Sequence, residues 1–267
     1  MKNDKAYIIA NWKLGITNLA DAKRLFTTTK KTANTTTRVQ TILCPPPMYL
    51  EPLSQLVTGH RCALGAQDIF YEDQGSAVGE ISGKMLADRK IGYSILGHSS
   101  RRARGESSED VAAKVQSCLR NSIIPIVCIG EVSRGTEEKP IEPSIYLAEV
   151  EEQVIQSFGD IPKTAFGNII ITYEPVWAIS ANEGSREATP DDAREMIVYI
   201  KKVLADEFDL KKTDHLTFVY GGSVDVDNIS NFIHADEING VLVGSASRDA
   251  DEFTSMLEQS NEIMKEK

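Results

Sequence analysis

The amino-acid sequence predicts a closed (β/α)8 barrel built as one domain over residues 1–267. Short β-branched apolar runs alternate with longer amphipathic stretches along the whole chain, the pattern of βα units around a parallel sheet. Spreading eight such runs over the chain gives about 33 residues per unit, close to the roughly 250 residues that a barrel needs. Each run is nearly all apolar, as strands covered on both faces should be.

In order, the strand candidates are AYIIANWK (6–13), RVQTILCP (38–45), CALGAQDI (62–69), YSILGHSS (93–100), IIPIVCIGE (123–131), NIIITYEPVWA (168–178), HLTFVYGGSV (215–224) and NGVLVGSAS (239–247). Between them lie helical patterns over 18–33, 108–121, 144–159 and 189–208, with starts expected at Ser108 and Thr189 ahead of acidic first turns. Pro190 then falls on the first helical position, where its missing N–H costs nothing. The alternative architecture, an open doubly wound sheet, would need a glycine-rich phosphate loop after the first strand, and none is present. The irregular stretch FYEDQGSAVGEIS, Phe70 to Ser82, reads as a protruding loop that touches a partner subunit.

Composition narrows the function. A formal net charge of -10 argues against nucleic acid or an anionic membrane as partner, since both require a basic face. No apolar run approaches the roughly 20 residues of a membrane-spanning helix, and the N-terminal apolar segment is too short for a signal peptide. A cytoplasmic protein is expected. Cys44, Cys62, Cys118 and Cys128 have neither CxxC spacing nor histidine neighbours, so they read as reduced, metal-free core thiols.

Chemistry in a parallel barrel gathers where the strands end. There the chain places Asn11 and Lys13 (first strand), His98 and Ser99 (fourth), Glu174 (sixth), Gly221, Gly222 and Ser223 (seventh), and Gly244 and Ser245 (eighth). A carboxylate base, a neutral donor and a cation are what enolisation beside a carbonyl demands: one group takes the carbon-bound proton while the others stabilise the oxyanion. Glycine-rich strand ends let backbone N–H groups close on a phosphate. Each residue alone fits a structural role: His98 a core histidine, Lys13 a solvated charge, Glu174 a surfacing carboxylate, YGGS a tight turn. Their joint placement on five strand ends is what argues for a site.

The segments NWK, LGHSSRR, CIGE, YEPVWAI, YGGSV and GVLVGSAS, in this order, resemble the triosephosphate isomerase family, and the resemblance spans essentially the whole chain. It implies that Glu174 shuttles a proton between adjacent substrate carbons, that neutral His98 and Asn11 polarise the substrate oxygens, and that Lys13 supplies positive charge. It further implies that the backbone of Gly222, Ser223, Gly244 and Ser245 binds the substrate phosphate, that the loop after Trp177 closes as a lid, that no metal or organic cofactor takes part, and that the 70–82 loop joins a homodimer. A neutral imidazole electrophile beside a glutamate base is the documented pattern for this family. A helix starting after His98 would disfavour the charged imidazole.

Three departures stand out. Ser100 occupies a position where the family usually has glutamate, so no carboxylate can pair with Lys13 there. The lid SANEGSRE, 180–187, is longer than the family's, retains only Gly184 at its tip, and offers Ser180 or Asn182 as side-chain donors to the phosphate. Ser245 replaces a glycine. The main expectation is interconversion of dihydroxyacetone phosphate and glyceraldehyde 3-phosphate; the alternatives are isomerisation of a related ketose such as a tetrulose phosphate, and a non-catalytic phosphate-ligand binding protein.

Overall fold

The computed structural model describes residues 5–136, 138–180 and 186–267. Eight strands, β1 (Ala6–Asn11), β2 (Val39–Cys44), β3 (Cys62–Ala66), β4 (Tyr93–Leu96), β5 (Ile124–Ile129), β6 (Ile170–Tyr173), β7 (Thr217–Tyr220) and β8 (Gly240–Val243), pair in parallel and in sequence order. Pairing of β1 with β8 closes the barrel. The helices are α1 (Leu19–Ala33), α2 (Pro47–Ser54), α3 (Gly83–Asp88), α4 (Ser99–Arg102), α5 (Ser108–Arg120), α6 (Pro143–Phe158), α7 (Pro190–Phe208), α8 (Ile229–His234) and α9 (Ala250–Glu266).

The near-continuous apolar strands follow from burial on both faces. Ile9, Ile42, Ile95, Ile126, Ile170, Val219 and Leu242 form one buried cluster. Their neighbours along the strands, among them Ile8, Leu43, Leu96, Val127, Ile171, Phe218 and Val241, belong to a second, larger cluster with Phe26, Val115, Val154, Ile197 and Phe253 of the helices. The period-two alternation therefore divides each strand between a packed barrel interior and the helical layer.

Strands end earlier than the apolar runs suggest. The third stops at Ala66, because the Gln67 side chain turns to donate to the Lys13 and Cys44 carbonyls, both at 3.0 Å. The sixth stops at Tyr173, which puts Glu174 one residue beyond the ladder. The α5 cap falls on Ser107 rather than Ser108: Ser107 and Asp110 form a reciprocal capping box, and only that choice puts a carboxylate at the third helical position. Thr189 caps α7 with Asp192 in the same manner, and Pro190 opens the helix as expected.

One buried charge cluster fixes the turn that carries His98. Lys114 bonds Asp68 at 2.9 Å and also pairs with Glu106, while Arg101 of α4 bonds Asp68 at 2.8 Å. Burial pushes the Asp68 carboxyl up, against the pull of Lys114. Buried charges persist only when paired in this way, and here the pairing ties the loops after β3 and β4 to α5.

Candidate active site

Glu174 follows β6, and its backbone is held by pairing across to β5: its N–H donates to the Ile129 carbonyl at 2.8 Å. Gly130 makes this approach feasible, since a Cβ there would sit 2.1 Å from the Glu174 carbonyl oxygen. The residue is 3% exposed. Oε2 accepts the Ser99 N–H at 2.8 Å, and Oε1 lies 2.9 Å from His98 Nε2.

His98 is delivered by Gly97, whose φ of +65° is left-handed backbone that glycine adopts without penalty. Its Nδ1 accepts the Ser100 N–H at 3.1 Å and lies 3.0 Å from Ser100 Oγ. With Nδ1 an acceptor, the Nε2–H is the donor to Glu174. Ser100 thus engages the imidazole. The expected short helix after His98 is α4, with His98 as its cap.

Burial opposes the ionised form of Glu174. The electrostatic pull and hydrogen bond of His98, the Ser99 N–H and the positive Lys13 outweigh it, holding the carboxyl below its usual range. Asn11 is 5% exposed and its Oδ1 accepts the Lys13 N–H at 3.1 Å, which leaves the amide NH2 as its donor. Lys13 itself sits at φ 50°, a conformation costing of order 1–3 kcal/mol for a non-glycine residue. A Cβ on Gly244 would lie 4.0 Å from Lys13 Nζ, so the ammonium reaches across to the end of β8.

Asn11, Lys13, His98, Glu174, Ser180, Gly222, Ser223, Gly244 and Ser245 all line one cavity of about 290 Å³ at the C-terminal ends of the strands. A larger cavity of about 780 Å³ opens at the opposite end, among residues that precede strands such as Lys5, Leu216 and Ile238, and holds none of these groups. The N–H groups of Gly222, Gly244 and Ser245 make no hydrogen bond within the described residues. Ser223 differs: its N–H donates to the Ala178 carbonyl at 3.0 Å, which joins the β7 loop to the first limb of the lid.

That limb is anchored. Trp177 Nε1 donates to Glu131 Oε1 at 2.8 Å, as do Tyr173 Oη at 2.8 Å and Arg134 Nε at 2.6 Å. The Arg134 and Arg186 guanidinium groups lie 5.1 and 4.4 Å from the Trp177 ring, within cation–π range. The Arg186 N–H donates to the Trp177 carbonyl at 3.1 Å. Asn182, Glu183 and Gly184 lie outside the described residues. Sequence reasoning gave no role to Glu131, whose signal is the one Glu174 shows: a carboxylate closing an apolar strand. It also missed Arg248, which lines the cavity.

Fold and cavity together define a (β/α)8 barrel that gathers a carboxylate, an imidazole, an amide and an ammonium at its C-terminal rim. A family model described as triosephosphate isomerase matches residues 6–260. The triosephosphate isomerase of Carboxydothermus hydrogenoformans is 36% identical over 260 residues, covering 96% of this chain and 99% of that protein. That of Endomicrobium trichonymphae is 33% identical over 257 residues, covering 96% and 99%. The crystal structure of triosephosphate isomerase from Bartonella henselae superposes with a TM-score of 0.78 at 27% identity, covering 96% of this chain and 98% of that one. The chain belongs to the triosephosphate isomerase family.

The electrostatics of Glu174 set an expected pH profile. Its proton affinity is lowered in the folded protein, so the ionised base persists below the ordinary glutamate value and is lost only as pH falls through the shifted one. The acid limb of kcat/KM for isomerisation should accordingly have its midpoint below 4.5. A midpoint above that value would mean that burial dominates over the donors.

Proposed function

We propose that this protein is a triosephosphate isomerase, interconverting dihydroxyacetone phosphate and glyceraldehyde 3-phosphate through an enediolate. The observation that carries the reading is the hydrogen-bonded contact of Glu174 with His98 in the cavity that Asn11 and Lys13 also line. Relatives that span nearly the whole chain and bear that name favour a triose over a tetrulose phosphate.

In this scheme the substrate carbonyl and hydroxyl displace the carboxylate from His98. Glu174 removes a proton from carbon 1, the hydroxyl proton passes from the carbon 1 oxygen to the carbon 2 oxygen by way of His98 Nε2, and Glu174 returns its proton to carbon 2. The electron pair left by the C–H bond moves to the carbonyl oxygen, where the His98 Nε2–H, the Asn11 amide and the Lys13 ammonium stabilise the negative charge. A neutral imidazole donor is matched to the enediolate oxygens and gains strength as they become basic.

The phosphate sits against the unbonded N–H groups of Gly222, Gly244 and Ser245, with Ser180 donating from the lid. Ser223 joins when the lid limb moves and the Ala178 carbonyl lets its N–H go, so phosphate binding and lid closure share one hydrogen bond. Closure excludes water from an intermediate that otherwise eliminates phosphate.

A homodimer completes the reading. The 70–82 loop is stapled at its base by the Phe70 N–H to the Ile81 carbonyl at 2.8 Å, and Val78 near its tip is 95% exposed. Leu14, Met48 and Met85 are also exposed apolar side chains, and a second copy is what would cover such side chains. The four buried, unpaired thiols support a reducing compartment such as the cytosol, and no helix among the described residues is long and apolar enough to cross a membrane.

In a coupled assay the wild type should turn over triose phosphates with higher kcat/KM than tetrulose phosphates, and Glu174→Asp, which withdraws the base by one methylene, should lower kcat by about 100-fold or more. An unchanged kcat removes Glu174 from the role of base; ligand-induced thermal stabilisation without turnover indicates a binding protein instead. Light scattering should give twice the chain mass of 29.4 kDa, and a monomer at micromolar concentration would overturn the dimer.

A further inference from the structure

The active-site cavity contains a cation that the proton-transfer scheme does not use. Arg248 ends the short turn Ser245–Arg248 after β8 and lines the same cavity as Lys13, His98 and Glu174. Its side chain crosses the loop that follows β1: a Cβ on Gly15 would sit 2.2 Å from Arg248 Cδ, 2.3 Å from Nη1 and 2.9 Å from Cζ. The guanidinium therefore lies against the Gly15 backbone, in space that only the missing side chain leaves open.

This arginine is uncommitted. Among the described residues it makes no ion pair, and its one hydrogen bond runs from Nε to the Ser245 carbonyl at 3.5 Å. Arg134, by contrast, bonds Glu131 and Asp192, and Arg101 bonds Asp68 and Glu106. The carboxylate of the cavity does not pair with Arg248 within 4.0 Å; its oxygens accept from His98 and the Ser99 N–H. Position 100 is serine and adds no negative charge. Lys13 also lacks a carboxylate partner within 4.0 Å among the described residues. Two cations thus face one carboxylate beside the unbonded N–H groups of Gly244 and Ser245, a net positive site that calls for an anionic ligand. A planar guanidinium is suited to grip it through two parallel N–H donors.

We propose that Arg248 is a substrate-binding residue that takes the phosphate dianion together with the backbone N–H groups of Gly244 and Ser245. The inference rests on the sugar-phosphate reading of the site, and a binding measurement separates the two. Inorganic phosphate is titrated into wild type, Arg248→Gln, Arg248→Lys and Gly15→Ala by calorimetry, and KM and kcat for dihydroxyacetone phosphate are measured on the same proteins.

Arg248→Gln should weaken phosphate binding and raise KM by about 10-fold or more, the loss of a charged hydrogen bond, with kcat nearly unchanged. Arg248→Lys should recover part of the loss. Gly15→Ala, which has to push the guanidinium aside, should weaken phosphate with Arg248 still present. Phosphate affinity in Arg248→Gln equal to wild type, or no phosphate binding by the wild type, overturns the proposal. Wild type that binds phosphate through Arg248 but turns over no triose phosphate leaves the proposal standing and defeats the isomerase reading.

Discussion

Glu174 is buried, and an ionised group so placed persists only if donors replace the water it has lost. His98 Nε2–H and the Ser99 N–H supply them. Both donors come from the end of β4, whereas the carboxylate comes from the end of β6, so their meeting depends on closure of the barrel and on β5 lying between them. The Gly130 contact and the bond from the Glu174 N–H to Ile129 set that spacing. Packing of β-branched side chains inside the barrel is therefore the source of the site's precision, because a rigid interior fixes where strand ends point.

Two carboxylates close neighbouring strands, and their environments assign them opposite tasks. Glu131 is fully buried, with one oxygen saturated by Arg134, Tyr173 and Trp177, and it anchors the lid's first limb. Glu174 faces the cavity, and its donors are groups that a substrate can displace. The chain after β6 is tied to the β7 loop through Ala178 and Ser223 and to Glu131 through Trp177.

Much of this was legible in the sequence. The eight buried runs announced a parallel barrel because strands covered on both faces have no polar positions to spare, and Glu174 stood out as the carboxylate that broke such a run. Other features depend on three-dimensional context. Adjacent serines at 107 and 108 offer two caps, and only the reach of Asp110 selects the first. The left-handed backbone of Lys13 carries no residue-type signal. The sequence separates Glu131 from Glu174 by nothing in their local pattern, since the difference lies in which side chains from other strands surround them. Arg248 lies beyond the last strand, and it reaches the cavity because a short turn folds it back over a glycine more than two hundred residues earlier in the chain.

On this mechanism Glu174 carries a substrate proton between two carbons while in contact with exchangeable protons. Conversion of dihydroxyacetone phosphate in D2O, with the aldehyde trapped and read by NMR, tests this directly. The account predicts glyceraldehyde 3-phosphate carrying solvent deuterium at carbon 2; product formed at the full rate with no deuterium at that carbon would contradict it.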